Sequence, residues 1–341
     1  MADPRDESTD RIADGLLAYL KDELNDSSIT LDGPLAQLHG GFDATIYRFQ
    51  FAGSQKELNR PLVLRLYPEW RGPEDAVGEY AVQNAMANGG LPVPRAHFIC
   101  KDKSILGGVF FIMDFSPGET LITAPVESLP DILGKTHARL HDVNPTFMVE
   151  SLQELGVADN EYRLQVRLDY LQRYANEFPE IREAVDWLIQ NRPPEPERLA
   201  ICHSDFHPMN ILQQDGKVTS ILDWSDFLIA DPALDIANTI RLLTIAFKHI
   251  APTGFWGEEL ASVDWESASQ RYLQSYQAHL PLDNTNLDYY GVMANIFGII
   301  PDLRGSRSAP PVEVDEDLIE SYTKDLNDFI YRVTGIQATQ I

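Results

Sequence analysis

The side chains best suited to chemistry lie in one stretch of the chain, LAICHSDFHPMNILQQDGKVTSILDWSDFLIADPALDIANTI. His203, Asp205 and Asn210 have the spacing H-x-D-x-x-x-x-N, and Asp223 follows after a short segment. That segment contains Asp215-Gly216, a dipeptide that favours a two-residue β-hairpin turn because both positions tolerate positive φ. Carboxylate and amide oxygens can bind Mg²⁺, and a carboxylate can accept a proton from a hydroxyl group.

The register of the predicted hairpin decides which of these side chains converge. If Gln214 pairs with Lys217, Asn210 lies opposite Ile221. Because side chains alternate along a strand, Asp223 then points to the same face as Asn210. Two oxygen ligands on one face, completed by nucleotide phosphates and water, suit a magnesium ion. The pattern therefore predicts that Asn210 and Asp223 bind metal.

Asp205 lies on the turn that enters the hairpin, where its carboxylate can accept the proton of an attacking hydroxyl group. Together with two metal ligands, this arrangement is typical of phosphoryl transfer, in which the protein mainly supplies positioning and neutralisation of charge. Asp and Asn also commonly stabilise turns. Four such residues at these spacings around one hairpin nevertheless favour a catalytic function.

The segments HSDFHPMNIL, ILDW and ADPALDIA resemble the aminoglycoside phosphotransferase and choline kinase-related family, over about residues 35–243. The resemblance implies a protein-kinase-like fold of the α+β class, with a small strand-rich lobe and a larger, mainly helical lobe. It also implies that Asp205 is the catalytic aspartate and that Asn210 and Asp223 hold Mg²⁺. His207, close to the transferred group, is a second catalytic candidate.

Several residues around the motif depart from the family pattern or have a structural interpretation. Ser204 and Ala230 stand where the family has glycine, and the loops are expected to absorb both changes. Asp231 is expected to begin the following helix, and Asp235 to cap it or to brace the catalytic loop. His203 is interpreted as a buried, orienting residue.

The N-terminal part carries residues expected to bind the nucleotide. Gly40 and Gly41 lie between two predicted strands, where backbone N–H groups can approach phosphates. Arg65 stands inside an apolar strand, and a buried charge needs a partner. The family has Lys or Arg there, in contact with phosphate and paired with a helix Glu. Glu79 on the next predicted helix is the expected partner, and Glu74 is the alternative.

By the same resemblance, the strand VFFIMDF leads into the connection between the two lobes. Adenine is expected to lie against Met113 and to hydrogen bond to backbone groups of Asp114 and Ser116. The implied cofactors are ATP, or GTP, and Mg²⁺.

Hydrophobic periodicity predicts a strand-rich part followed by a mainly helical part. We assign residues 1–115 as a nucleotide-binding lobe and residues 116–341 as a catalytic and substrate-binding lobe. Helices are predicted at about residues 8–24, 73–87, 126–142, 161–177, 179–190, 235–250, 264–279 and 316–334. His137 and His141 lie on one of these helices and are expected to be surface or packing residues, not ligands.

Composition restricts the class of protein. The chain has 341 residues and a net charge of -25, which disfavours binding to nucleic acid or to an anionic membrane. No secretion signal or membrane-spanning apolar run is recognised, and two cysteines are too few for a disulfide scaffold. We therefore expect a cytoplasmic protein, and the sequence carries no signal for its oligomeric state.

The expected acceptor is a hydroxyl group of a small molecule. The family name and the abundant carboxylates suggest an aminoglycoside, although an acidic surface adapted to salt would have the same composition. Other hydroxylated metabolites are the broader class. Two alternatives remain: a nucleotide-binding pseudokinase, suggested by Arg65 and the two-glycine loop, and a protein kinase. The segment Asp223-Trp224-Ser225, in place of D-F-G, argues against the second.

Overall fold

A computed structural model of the chain describes residues 7–38, 44–54, 56–253, 258–303 and 316–338. Contacts divide the chain into two compact units, Met1–Pro117 with Glu150–Val157, and Gly118–Val149 with Ala158–Ile341. Helices and strands occur in both, which confirms the predicted α+β class. The functional division at residue 115 stays a prediction.

The first unit is built on an antiparallel sheet. In chain order it contains α1 (Glu7–Glu23), β1 (Thr30–Leu31), β2 (Ala36–Leu38), β3 (Thr45–Phe49), β4 (Phe51–Ala52), β5 (Leu62–Leu66), α2 (Pro73–Asn88), β6 (Ala96–Cys100), α3 (Lys103–Leu106) and β7 (Phe110–Asp114). The five-stranded sheet has the order β2-β3-β5-β7-β6, and β1 pairs separately with β4. The predicted strands therefore pair into one sheet with β5 at its centre.

The central strand β5 is buried along its whole length, which explains its continuous apolar sequence. Leu64 belongs to a core cluster with Leu16 of α1, whereas Val63 belongs to a second cluster with Ala76 of α2. Because side chains alternate along a strand, Arg65 shares the face of Val63 and lies toward α2.

The second unit is mainly helical. It contains β8 (Glu119–Thr120), α4 (Leu129–His141), α6 (Leu164–Glu177), α7 (Arg182–Gln190), β9 (Ala200–Cys202), β10 (Ile211–Gln214), β11 (Lys217–Ile221), β12 (Leu228–Ala230), α8 (Pro232–Arg241), α9 (Lys248–Ile250), α10 (Trp265–His279), α11 (Leu287–Leu303) and α12 (Glu316–Thr334); the intervening α5 (Thr146–Glu154) is divided between the units. Strands β8, β10 and β11 form one small sheet, and β9 pairs with β12 in another.

Close helix packing supports this unit. Helix α10 packs along α4, and α11 packs against both α8 and α12. At Gly134 of α4, a side-chain Cβ would lie 2.4 Å from the backbone oxygen of Tyr272, so this approach of α4 to α10 requires glycine. Helix α11 was not predicted from sequence, because apolar residues occupy most of its circumference and leave no periodic stripe.

Among the helices of the described ranges, none combines the length and the apolar character needed to cross a membrane.

Candidate active site

The motif H-x-D-x-x-x-x-N occupies the loop between β9 and β10. Its first residue, His203, holds the loop in place through hydrogen bonds. The His203 side chain is buried, and its Nε2 donates a hydrogen bond of 2.9 Å to the carbonyl oxygen of Leu222. Its Nδ1 accepts a hydrogen bond of 3.3 Å from the backbone N–H of Asp205. Both ring nitrogens are therefore engaged, as expected for a buried orienting histidine.

Ser204 adopts a left-handed backbone conformation, with φ of 65°. Glycine adopts this conformation without steric cost, which explains the glycine of the family pattern. The loop is held in place by Asp235, whose carboxylate accepts the backbone N–H groups of His203 at 2.5 Å and of Ser204 at 2.8 Å. Asn238 also donates to the carbonyl oxygen of Ser204, at 2.5 Å. The predicted bracing role of Asp235 is confirmed.

Asp235 is the centre of a buried network. His137 and His141, one helical turn apart on α4, donate from Nε2 to Asp235 Oδ2 at 3.0 and 3.2 Å. Their Nδ1 atoms accept hydrogen bonds of 2.8 Å from the hydroxyl groups of Tyr272 and Tyr276 on α10. These histidines were expected to be surface or packing residues, and the surface alternative was wrong, because both side chains are fully buried.

Burial shifts the pKa values of His137 and Asp235 in opposite directions. Burial lowers the pKa of His137 to about 4, helped by the neighbouring His141, so His137 is neutral at pH 7. Burial alone would raise the pKa of Asp235, but His137 and His141 hold that pKa below its ordinary value. A fully buried carboxylate is thus kept ionised by hydrogen bonds from two imidazoles and two backbone amides.

Asp205 is bound to its own loop through two side chains. Its Oδ2 lies 3.3 Å from His207 Nε2 and 3.1 Å from Asn210 Nδ2, and Asn210 also donates to the Asp205 carbonyl at 3.0 Å. The Nδ1 atom of His207 accepts the N–H of Met209 at 3.2 Å. Desolvation opposes ionisation, but the electrostatic interaction and hydrogen bond with His207, helped by His203 and Arg241, lower the pKa of Asp205 to about 2.

The hairpin forms, but its register differs from the prediction. Gln214 pairs with Lys217 as predicted, whereas Ile211, and not Asn210, lies opposite Ile221. A β-bulge at Thr219 shifts the pairing by one residue. The alternation argument that placed Asn210 and Asp223 on one face was therefore wrong in its register.

Asn210 and Asp223 are neighbours by a different route. The carbonyl oxygen of Asn210 accepts the N–H of Leu222 at 2.8 Å, which brings the next residue, Asp223, to the same end of the hairpin. Asp223 has φ of 61° and so leaves the extended conformation of the strand. Its Oδ1 accepts a hydrogen bond from Ser225 at 3.1 Å. The metal-binding role of both residues stays a prediction.

In the first unit, the predicted ion pair between Arg65 and Glu79 is confirmed. Arg65 Nε lies 3.0 Å from Glu79 Oε2, and the two side chains are only 4% and 1% exposed. The Tyr67 hydroxyl donates to the same Glu79 oxygen and accepts from Arg65 Nε at 3.4 Å. Burial, with the Glu79 charge second, raises the pKa of Tyr67 well above its usual value. The alternative partner, Glu74, is exposed.

The other predicted nucleotide contacts have mixed outcomes. Gly40 and Gly41 lie outside the described residues. Met113 is buried, and its Sδ accepts a hydrogen bond from Gln83 at 3.2 Å. The backbone N–H of Asp114 donates to the Arg95 carbonyl at 2.9 Å. The adenine contacts to backbone groups of Asp114 and Ser116 stay a prediction.

The Asp114 side chain also has partners, at 2.7 Å from Arg60 and 2.9 Å from His97. Although burial raises the pKa of Asp114, His97 and Arg60 outweigh it and lower that pKa. This side chain therefore serves the local fold.

Comparison with known proteins settles the family. A model of the phosphotransferase enzyme family matches residues 34–279, which is most of the chain. The chain belongs to this family. The match includes the catalytic loop, the hairpin and the Arg65–Glu79 pair of this phosphotransferase.

Solved phosphotransferase structures share its fold. A thermostable aminoglycoside phosphotransferase APH(4)-Ia, in a ternary complex with AMP-PNP and hygromycin B, is 17% identical, with a TM-score of 0.56 over 94% of this chain and 99% of that one. Macrolide 2'-phosphotransferase MphH of Brachybacterium faecium is 19% identical, with a TM-score of 0.55 over 92% and 98%. The protein-kinase-like fold class inferred from the resemblance is confirmed.

Curated relatives of the phosphotransferase are longer proteins. Acyl-CoA dehydrogenase family member 10 of Mus musculus is 25% identical over 340 residues, which cover 93% of this chain and 31% of the mouse protein. Acyl-CoA dehydrogenase family member 11 of Gallus gallus is 29% identical over 174 residues, covering 47% and 22%. The chain therefore spans about a third or less of the length of these relatives.

Residues absent from the sequence predictions complete the site of the phosphotransferase. Asn238 and Arg241 of α8 lie beside the catalytic loop, and Asn238 accepts a hydrogen bond of 3.2 Å from Arg241 Nε. Their spacing of three residues on one helix face was a signal, but no local pattern indicates that α8 faces Asp205.

Proposed function

We propose that the chain transfers the γ-phosphoryl group of ATP or GTP, with Mg²⁺, to a hydroxyl group of a small molecule. The observation that carries the proposal is the ionised Asp205 carboxylate. It accepts a hydrogen bond from Asn210, within a loop whose backbone N–H groups are bound by Asp235. Membership of the phosphotransferase family supports the reaction class. The AMP-PNP of one structural neighbour supports a nucleoside triphosphate as donor.

In this mechanism Asp205 positions the acceptor. A carboxylate whose pKa is about 2 is a weak base, so its main contribution is a hydrogen bond that orients the attacking hydroxyl. Phosphoryl transfer has a largely dissociative transition state, which needs orientation more than early deprotonation. His207 acts through Asp205 as a positioning residue, because its Nε2 faces the carboxylate and its Nδ1 is held by the backbone.

Asn210 and Asp223 would hold the metal. The Asn210 amide gives its N–H group to Asp205, which leaves its Oδ1 as a ligand, and the Asp223 carboxylate adds a second oxygen. Two hard oxygen ligands at one end of a hairpin fit Mg²⁺, which takes its other ligands from phosphates and water. When bound, Mg²⁺ would neutralise charge on the transferred phosphates.

The remaining nucleotide contacts are assigned to residues 1–115. Arg65, held by Glu79 and Tyr67, is proposed to contact phosphate, with the backbone of Gly40 and Gly41. Adenine is proposed to lie against Met113, near the Asp114 carbonyl and Ser116. The acceptor-binding side is assigned to residues 116–341, and the protein to the cytoplasm.

The proposal is tested by nucleotide consumption with and without Mg²⁺, using a panel of alcohols, amino sugars and hydroxy acids as acceptors. Phosphorylated product, identified by mass spectrometry, is expected with at least one acceptor class. Asp205→Asn should lower kcat by about 10²-fold, the scale of general-base and orienting contributions, with nucleotide affinity unchanged.

Asp215→Asn is the matched control. Asp215 lies in the hairpin turn with φ of 52°, a conformation that Asn also tolerates, and so this variant should retain wild-type turnover. Near-normal turnover in Asp205→Asn would remove the assignment. Tight Mg²⁺-dependent nucleotide binding with no turnover for any acceptor would favour the pseudokinase alternative.

A further inference from the structure

A cavity in the second unit opens beside the candidate catalytic aspartate. Its volume is about 180 Å³, which suits a small molecule or one part of a larger one. Its apolar wall includes Tyr290, Met293 and Phe297 of α11, and Ser204 and Asp205 lie on its polar side. An acceptor seated there would have its hydroxyl group next to Asp205.

Two arginines line this cavity, and they differ in their partners. Arg167 Nη2 forms an ion pair of 2.9 Å with Asp226 Oδ1, so these two charges largely cancel. Arg241 hydrogen bonds only to neutral groups: its Nε donates to Asn238 at 3.2 Å and its Nη1 to the Tyr322 hydroxyl at 3.3 Å. Its charge interacts with the Asp205 carboxylate, but within the described ranges no carboxylate forms a direct ion pair with Arg241, and its Nη2 has no hydrogen-bond partner.

The position of Arg241 is fixed by the fold. It is the last residue of α8, and the chain continues as a π-helical segment, Leu242–Phe247, a helix type that is rare and frequent at functional sites. On the other side, a Cβ at Gly298 of α11 would lie 3.2 Å from Arg241 Nη1. Because Gly298 has no side chain, the Arg241 guanidinium can lie close to α11.

Ser204 supplies a second polar group with unused bonding capacity. Ser204 lines the cavity, and its Oγ is buried without a hydrogen-bond partner among the described residues. The residue also holds φ of 65°, a conformation that costs a non-glycine residue about 1–2 kcal/mol. A buried hydroxyl without a partner at a strained position is itself unfavourable, unless a ligand completes its hydrogen bonds.

We propose that this cavity binds an acceptor carrying an oxyanion, a carboxylate or a phosphate, with Arg241 and the Ser204 hydroxyl as its recognition groups. The inference rests on the proposed function, because Asp205 must face the acceptor hydroxyl. The apolar wall on α11 accommodates a hydrocarbon or aromatic body. The acceptor is thus a hydroxylated organic anion, and a polycationic amino sugar would bring positive charge toward Arg241.

The test compares each anionic acceptor with its neutral partner on the full chain. The probes are 3-hydroxybutyrate and 3-phenyllactate, each with its primary amide, and glycerol 3-phosphate with glycerol; choline and hygromycin B represent cationic acceptors. Both kcat/KM for transfer and binding by calorimetry, with AMP-PNP and Mg²⁺ present, are measured. The carboxylate and phosphate arms distinguish the two sources of the oxyanion.

Wild-type protein should prefer anions over their neutral partners by roughly ten- to a hundredfold, the effect of one charge-assisted hydrogen-bonded contact. Arg241→Gln should remove that preference, Arg241→Lys should restore part of it, and Ser204→Ala should reduce it several-fold. Arg167→Gln together with Asp226→Asn is the matched control, because it removes both charges of an ion pair that lines the same cavity and so leaves the net charge of the cavity unchanged. It should keep the preference for anions.

The outcomes separate the inference from the proposed function. Transfer to neutral or cationic acceptors in preference to anions overturns the inference and leaves the kinase function in place. Anion-selective binding that depends on Arg241, without transfer to any probe, supports the inference and counts against the proposed function. Equal binding of acids and amides by the wild type overturns the inference, and this comparison needs no variant to fold.

Discussion

Replacement of Glu79 by alanine tests the buried ion pair beside the central strand. Arg65 and Glu79 are almost entirely removed from solvent, and Glu79 also accepts the Tyr67 hydroxyl. Removing one partner of such a pair leaves a charge in the interior without its carboxylate, which typically costs about 3–5 kcal/mol. We therefore expect Glu79→Ala to lower the free energy of unfolding by that amount, a large part of the stability of an ordinary domain.

Urea denaturation, followed by fluorescence and circular dichroism, measures the change. Glu74→Ala is the matched control, because this residue lies on the same helix but is exposed; it should cost less than about 1 kcal/mol. Arg65→Met alone should be destabilising, whereas Arg65→Met with Glu79→Met should cost less than the sum of the single changes, because no buried charge remains.

Measurements of turnover distinguish an effect of these variants on stability from an effect on the reaction. Glu79→Ala should lower activity although it contacts no substrate, and Arg65→Lys should retain part of the wild-type rate because the charge survives without the guanidinium fork. The double methionine variant should fold and yet lack activity. A cost below about 1 kcal/mol for Glu79→Ala, or additive costs in the double variant, would refute the reasoning about this pair.

Three further predictions concern the second unit. Asp223→Ala should abolish Mg²⁺-dependent nucleotide binding, measured by calorimetry, without loss of the folded state; unchanged binding would contradict the metal assignment. Asp235→Asn should destabilise the chain by several kcal/mol in urea denaturation, because it removes the charge that accepts four hydrogen bonds, whereas exposed Asp215→Asn should not. Between pH 6.5 and pH 4, His137 alone should lower the free energy of unfolding by about 3 kcal/mol. Its pKa of about 4 keeps it neutral in the folded protein, whereas the unfolded chain takes up the proton. His137→Gln should lack this part of the pH dependence.

Local signals predicted the first unit well. The rule that a buried charge needs a partner identified Glu79, on the next predicted helix, as the partner of Arg65. Helix α2 was predicted at residues 73–87 and forms over Pro73–Asn88, since proline at its start and glycine after its end are unambiguous signals. The family and the fold class were also recognised.

The failures have long-range causes. The bulge at Thr219 depends on how two strands meet and has no local sequence signature. His137 and His141 were expected to be surface or packing residues. The tyrosines that hydrogen bond to them lie 135 residues further along the chain, so the local sequence gives no sign of these partners.

The catalytic loop connects these observations. Ser204 holds a left-handed conformation that costs a serine free energy, at the place where chemistry is proposed, and Asp223 holds the same conformation, which aspartate tolerates more readily. Such conformations persist only where the surroundings fix them, and here Asp235 binds two consecutive backbone amides while His203 ties the loop to Leu222. The buried imidazoles keep that carboxylate ionised without exposing it to water. The network on α4 and α10 thus stabilises the strained loop, and a change at His137 should reach Asp205 through the backbone of Ser204, although His137 itself does not line the acceptor cavity.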